Sequence, residues 1–366
     1  MKKFKFWKYG LAVLVMAVAL AGCGGGGGGD AAPAGPTPVP LTFATVPLAG
    51  IGGTFGAAVA VNSGAAAVKA VGQADNAALQ TMGVRWDVNP VAKTAAAPVQ
   101  LPPLGAGTFS AAYAVNNAGV SVGEADDGVS IVAASWSVDA VPVVTALPTA
   151  AGIVAPSAAY GINTAGQIVG EATLGGALHA VLWNDSAAAP VDLGLLVGGT
   201  FSAAYFISDA GIVVGEADDA TGNSMAVAWR VSPIGGITAG PVVIAPLTGH
   251  VSSIALAVDA AGRVVGESED ATGVIHAAMW TINTTTLAPA PGTDLGAGGS
   301  ASMINSVSRI AGQLGTPALA KVWQVGFPAS PGNVLIGAGP SQAFGINNTN
   351  VVVGADGANA FVAFPQ

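Results

Sequence analysis

Residues 157–196 read SAAYGINTAGQIVGEATLGGALHAVLWNDSAAAPVDLGLL. Short apolar runs separated by turn residues predict four strands here, at 158–163, 167–172, 179–183 and 191–196. The first two are joined by Asn163 to Gly166 (NTAG), where glycine supplies the positive φ that closes a tight hairpin. Close relatives of this stretch recur along nearly the whole chain. The fold therefore follows from stacking copies of one supersecondary unit.

Two landmarks fix the register of the copies. A glycine in the second strand recurs as Gly72, Gly123, Gly170, Gly215, Gly266, Gly312 and Gly354. An aromatic residue ends the third strand as Trp86, Trp136, Trp183, Trp229, Trp280, Trp323 and Phe364. Successive members lie 41 to 51 residues apart, while the two landmarks stay 10 to 14 residues from each other, so they belong to one hairpin. A period near 47 residues is that of a four-stranded propeller blade (about 40–50). The expectation is an all-β, seven-bladed β-propeller of four-stranded antiparallel blades over residues 41–366, with the aromatic landmarks buried between blades. Six- and eight-bladed rings are the alternatives, because the sixth copy is degenerate, and a β-solenoid ranks third.

Six copies hold a candidate fourth strand, at 99–104, 143–147, 191–196, 242–247, 293–295 and 333–336. The seventh ends after its third strand, while LTFATVPL at 41–48 precedes the first copy without a hairpin partner. Gly52 to Phe55 (GGTF) also matches Gly198 to Phe201, the connector that follows a fourth strand. The N-terminal strand is therefore predicted to close the last blade beside residues 360–364.

Composition agrees with close-packed sheets. Charged residues make up 8% of the chain and hydrophobic ones 52%, and 53 glycines punctuate it, which excludes the polar composition of a disordered chain. Lys2, Lys3, Lys5 and Lys8 precede a short apolar run at 11–20, the pattern of a secretory leader too short to span a membrane. Leu20-Ala21-Gly22-Cys23 resembles the lipobox of bacterial lipoproteins, which implies cleavage after residue 22 and lipidation of Cys23. Gly24 at the next position resembles the pattern that sends Gram-negative lipoproteins to the outer membrane. Residues 23–40, rich in glycine and proline, read as a tether. Without the leader's four lysines the chain holds 7 basic and 20 acidic residues, net −13, which argues against nucleic acid as a partner. With the only cysteine assigned to lipid, no disulfide is available, and a monomer is expected.

The repeat resembles the HAF repeat of extracellular bacterial proteins. The likeness rests on Gly161 to Gly170 (GINTAGQIVG), His179 to Trp183 (HAVLW) and Asp192 to Gly199 (DLGLLVGG), with echoes at Gly345 to Asn347 and His276 to Trp280. It covers residues 41–366 and implies a repeat architecture without a specified activity.

Candidate chemistry is sparse. His179 and His276 occupy a slot filled elsewhere by Met82, Val132, Met225, Leu319 or Ala360, which reads as a packing slot, and His250 stands alone. Gln73, Glu124, Glu171, Glu216, Glu267, Gln313 and Ala355 follow the landmark glycines and would form a ring. Because two copies carry Gln and one Ala, the ring reads as structural hydrogen bonding rather than an acidic channel. The turns between second and third strands carry Asp126, Asp127, Asp218, Asp219, Glu269 and Asp270, without the alternating spacing of calcium loops, so no metal and no cofactor is assigned. Trp86-Asp87 is a lone WD dipeptide, and no sialidase-type box is present. The function expected is a non-catalytic surface lipoprotein whose six acidic turn residues form a rim that docks a cationic protein or glycan. A structural envelope lipoprotein is the second expectation, and a glycan-acting hydrolase or lyase the third.

Overall fold

The computed structural model describes residues 41–63, 68–325, 333–334 and 340–366. The leader, the tether and Cys23 lie outside them. The strands form seven antiparallel sheets, each built in simple up-and-down order, and no helix occurs among the described residues. The innermost strands, one per blade, are Gly52–Val61, Ser110–Val115, Ile153–Ile162, Ser202–Ile207, His250–Val258, Gly299–Ile304 and Ser341–Ile346. The sixth copy is a full blade despite its degenerate sequence, with strands Gly299–Ile304, Arg309–Leu314, Leu319–Gln324 and Asn333–Val334.

The ring closes as the stray N-terminal strand requires. Phe43–Pro47 runs antiparallel to Asn359–Pro365, with Phe43 opposite Pro365 and Pro47 opposite Phe361. The last blade is thus made from both ends of the described residues, and the edge of its Asn359–Pro365 strand is covered.

Fourth strands are the element least faithful to expectation. In the third blade the strand stops at Val191–Asp192, because Gly194 takes a φ of 86° and its N–H bonds back to the Asp192 carboxylate. In the first blade the outer position is shared by two pieces, Thr94–Ala95 and Val99–Leu101. In the fourth blade it lengthens to Ile237–Ile244.

Adjacent blades are joined by side chains that recur with the repeat. All six landmark tryptophans and Phe364 are among the largest fully buried side chains. Trp86 packs with Val351, Val353, Ala360 and Val362 of the last blade, and Trp183 with Val122, Ala133 and Leu147 of the second. The indole nitrogens of Trp86, Trp136, Trp183 and Trp229 each donate to a carbonyl in or just beyond the preceding blade's outer strand, at 2.8–2.9 Å. Serines at the same innermost-strand position add a second seam. Ser110, Ser157, Ser202, Ser253 and Ser341 each accept an N–H from the third strand of the preceding blade, at 2.8–3.0 Å. Ser110, Ser202 and Ser253 also donate to a carbonyl in or just beyond that blade's outer strand. These bonds satisfy backbone groups that the blade edges would otherwise leave buried and unpaired.

Candidate functional site

Every innermost strand carries one extra residue at the same place. In the second blade Ala112 faces Gly123 and Ala114 faces Val122, so the register skips Tyr113. The residues that the register skips in the same way are Val59, Tyr160, Tyr205, Leu256, Ser302 and Phe344. A bulge of this kind re-aims the extra side chain, and all seven line one cavity of about 380 Å³ on the propeller axis.

The bulge also explains the landmark glycines. A Cβ built on Gly123 or Gly170 would lie 1.9 Å from the carbonyl oxygen of Ala111 or Ala158, and the other five landmarks meet the corresponding carbonyl at 1.9–2.1 Å. The bulged strand crowds its neighbour there, and only a residue without a side chain fits.

The cavity wall is chemically lopsided. Three consecutive blades supply tyrosines, with ring centroids 5.6 Å apart for Tyr113 and Tyr160 and 5.5 Å for Tyr160 and Tyr205. Behind them stand the carboxyls that follow the landmark glycines. Tyr113 donates to Glu124 at 2.6 Å, Tyr160 to Glu171 at 2.9 Å and Tyr205 to Glu216 at 2.5 Å. Glu216 also accepts from Ser224. Glu171, Glu216 and Glu267 are buried. Burial raises the Glu171 carboxyl to about 8, against the pull of its bond from Tyr160, and the neighbouring Glu124 and Glu216 push the same way. Burial raises Glu124 as well. The Tyr113 and Tyr160 hydroxyls are driven well above the ordinary tyrosine value, first by burial and then by the carboxyls beside them. The remaining wall combines apolar Val59, Leu256 and Phe344 with the polar Ser302, Ser300 and Gln73.

The mouth lies among the turns between first and second strands. Asn62, Asn116 and Asn163 each donate a side-chain N–H to the backbone carbonyl of the matching residue in the next blade, at 2.9, 3.3 and 3.4 Å. Asn305 bonds Asn347 in the same way, and Asn347 bonds Asn62 across the closure. The fourth and fifth blades carry Ser208 and Asp259 at this place, and Arg263 makes the link from the fifth blade to the sixth. Its guanidinium holds Asp259 at 2.6 Å and reaches Ser308 of the sixth blade at 2.7 Å. Asp209 stands exposed at the mouth and accepts the Thr164 N–H.

The acidic turn residues sit on the opposite face, and they fall into two groups. Asp218, Asp219, Glu269 and Asp270 belong to adjacent blades, whereas Asp126 and Asp127 are separated from them by the neutral Thr173–Gly176 turn of the third blade. Each carboxylate is engaged locally. Asp218, which is buried, accepts the N–H groups of Thr200 and Phe201 and the Thr200 hydroxyl. Asp126 accepts Thr108 and Gly128, Asp127 accepts Val129 and Ser130, Asp219 accepts Thr221 and Asn223, and Asp270 accepts Thr272 and Val274. Glu269 accepts the Ser252 hydroxyl. Backbone N–H groups hold Asp126 below the usual carboxylate range, and the hydroxyls of Thr221 and Thr272 lead the same effect at Asp219 and Asp270.

The histidines differ from expectation. His179 and His276 are not apolar packing residues. They bond Asp192 at 3.1 Å and Asp294 at 2.9 Å, outer-strand aspartates found only in those two copies. His250 is not isolated either, since its ring meets that of His276 at 4.7 Å. No group of three metal-ligating side chains occurs among the described residues.

The tyrosine row escaped the sequence reading, although its signal was there. Each tyrosine precedes its glutamate by eleven residues in three successive copies.

No family model matches the chain, and no curated protein matches it. Similar solved structures are propellers. A streptogramin B lyase structure is 11% identical with a TM-score of 0.44, covering 88% of this chain and 98% of its own. A Dyadobacter fermentans protein of unknown function is 12% identical with a TM-score of 0.48, at 88% and 98% coverage. A puromycin hydrolase structure is 15% identical with a TM-score of 0.46, covering 82% of this chain and 50% of its own. The likeness is one of architecture.

Proposed function

We propose that the protein is a non-catalytic binding module of the bacterial envelope, lipid-anchored through Cys23, that takes a small ligand in the central cavity. The observation that carries this reading is the convergence of one bulged residue from each of seven blades on a single pocket of about 380 Å³. That volume is in the range of small-molecule sites, roughly 300–1,000 Å³. Its tyrosine wall is held by the buried carboxyls behind it, which fixes the lining before any ligand arrives.

Native mass spectrometry of the propeller after exposure to extracts of its own envelope tests the reading. Wild type is expected to retain a small molecule that Ser302→Trp, which fills the cavity from a bulge position, does not. Retention that survives Ser302→Trp overturns it. For the anchor, Cys23→Ser is expected to release the protein from membranes, and lipid labelling that persists in that variant refutes the assignment.

The second reading is the acidic rim as a dock for a cationic protein or glycan. It is favoured by Asp126, Asp219 and Asp270, whose hydrogen bonds hold them ionised. Converting Asp126, Asp127, Asp218, Asp219, Glu269 and Asp270 to Asn or Gln is expected to abolish such docking, and unchanged capture defeats it.

A further inference from the structure

We propose that the cavity's ligand is an organic ammonium ion carrying an apolar body, received by the tyrosine wall of the second to fourth blades. The proposal rests on the reading of the cavity as the binding site and goes on to name what fills it.

Charge complementarity is the first argument. No lysine, arginine or histidine lines the cavity among the described residues, and segments 64–67, 326–332 and 335–339 contain none. The charged side chains at its wall are Asp209 and Asp259. Arg263 already balances Asp259, whereas Asp209 at the mouth accepts the Thr164 N–H and meets no cation among the described residues. Asp209 is thus the uncompensated charge of the wall, and it favours a cation.

The second argument is the chemistry of the wall itself. Three adjacent tyrosine rings offer π faces, which attract ammonium groups more strongly when water is excluded. A phenol that donates its hydrogen to a carboxyl oxygen becomes richer in electrons, which strengthens that attraction. On the far side Val59, Leu256 and Phe344 supply apolar surface for the rest of the molecule. An anion would meet the Asp209 carboxylate without a counter-charge, and a neutral sugar would find most amide groups of the mouth already committed between blades.

The chain supplies its own reporter. Of its four tyrosines, Tyr9 lies in the leader and the other three all line the cavity. Tyrosine-labelled protein beginning at residue 41 therefore reports on this site alone. The probes are phenethylammonium, phenethyl alcohol and phenylpropionate, which share an aromatic body and differ in charge. Phenethylammonium is expected to shift the tyrosine ring resonances with an affinity at least about tenfold above that of the alcohol, with no shift from the carboxylate. Tyr160→Leu is expected to lose about tenfold in affinity for the ammonium, and Tyr160→Phe, which keeps the ring, to lose less. Tyr205→Leu carries the same comparison should Tyr160→Leu not fold. Equal binding of the alcohol, or tighter binding of the carboxylate, overturns the ammonium assignment and leaves the cavity as a ligand site. No resonance shift with any probe overturns both.

Discussion

Tyr160 donates its hydroxyl hydrogen to Glu171 across 2.9 Å, and the two are buried on neighbouring strands of one blade. A carboxyl so placed favours its protonated form, and this sets how the propeller responds to pH.

Glu171 binds its proton up to about pH 8 in the folded chain, whereas the unfolded chain releases it near the ordinary value of 4.5. Between those limits the folded state holds more protons, so stability is greatest below the lower value and falls as pH rises to about 8. The slope approaches about 1.4 kcal/mol per pH unit for one proton. Urea denaturation of wild type and Glu171→Gln across this window checks it. The substitution is expected to remove most of the slope and to leave the variant the more stable of the two at pH 8. Equal slopes would show that the Glu171 carboxyl is ionised in the fold.

The blade count and the closure were legible because packing leaves little choice at the residues that define them. Gly170 has no room for a Cβ, and Trp183 fills a space between blades, so the same residue type returns copy after copy. The cavity was not legible, since its residues are those the ladder does not constrain. Val59, Tyr113, Ser302 and Phe344 share a position and no chemistry, and a bulge adds a residue without leaving a compositional mark. The histidines misled for a related reason. Considered alone, His179 shares a slot with Met82 and Val132, and only pairing across to Asp192 reveals its polar role.

Two glycines of the third blade separate crowding from backbone strain. Gly170→Ala would drive a Cβ to 1.9 Å from the Ala158 carbonyl, and an overpacking cost of about 2–3 kcal/mol is expected. Gly166 sits at a φ of 88° with open space around it, so Gly166→Ala is expected to cost only about 1 kcal/mol. Chemical denaturation of the two variants checks the order, and the reverse order would contradict the bulge geometry.

The tryptophans rank by their hydrogen bonds. Trp183→Ala is expected to cost about 3–5 kcal/mol as a buried aromatic truncated to a cavity. Trp183→Phe also strands the Pro148 carbonyl, whereas the Trp280 indole nitrogen has no hydrogen-bond partner to lose. Trp280→Phe should therefore cost about 1 kcal/mol less than Trp183→Phe. Denaturation midpoints of the two variants measure the difference.

The closing strand is expected to matter for solution behaviour as well as stability. A chain beginning at residue 51 lacks Phe43–Pro47 and bares the edge of Asn359–Pro365. Sedimentation should show concentration-dependent association of that chain, and denaturation should give a lower midpoint than for the chain from residue 41. A monomeric truncation of unchanged stability would remove the closure from the account.

The shared bulge position divides labour within each repeat. Residues that the ladder pairs keep the ring upright, while the one it skips faces inward and takes no place in the backbone register. Positions 59, 113, 160, 205, 256, 302 and 344 thus work as a seven-letter word written on an indifferent page. Changing a letter alters what the axis admits and leaves the blades to stack as before. A library confined to those positions would sample new specificities on a scaffold that has no need to be redesigned.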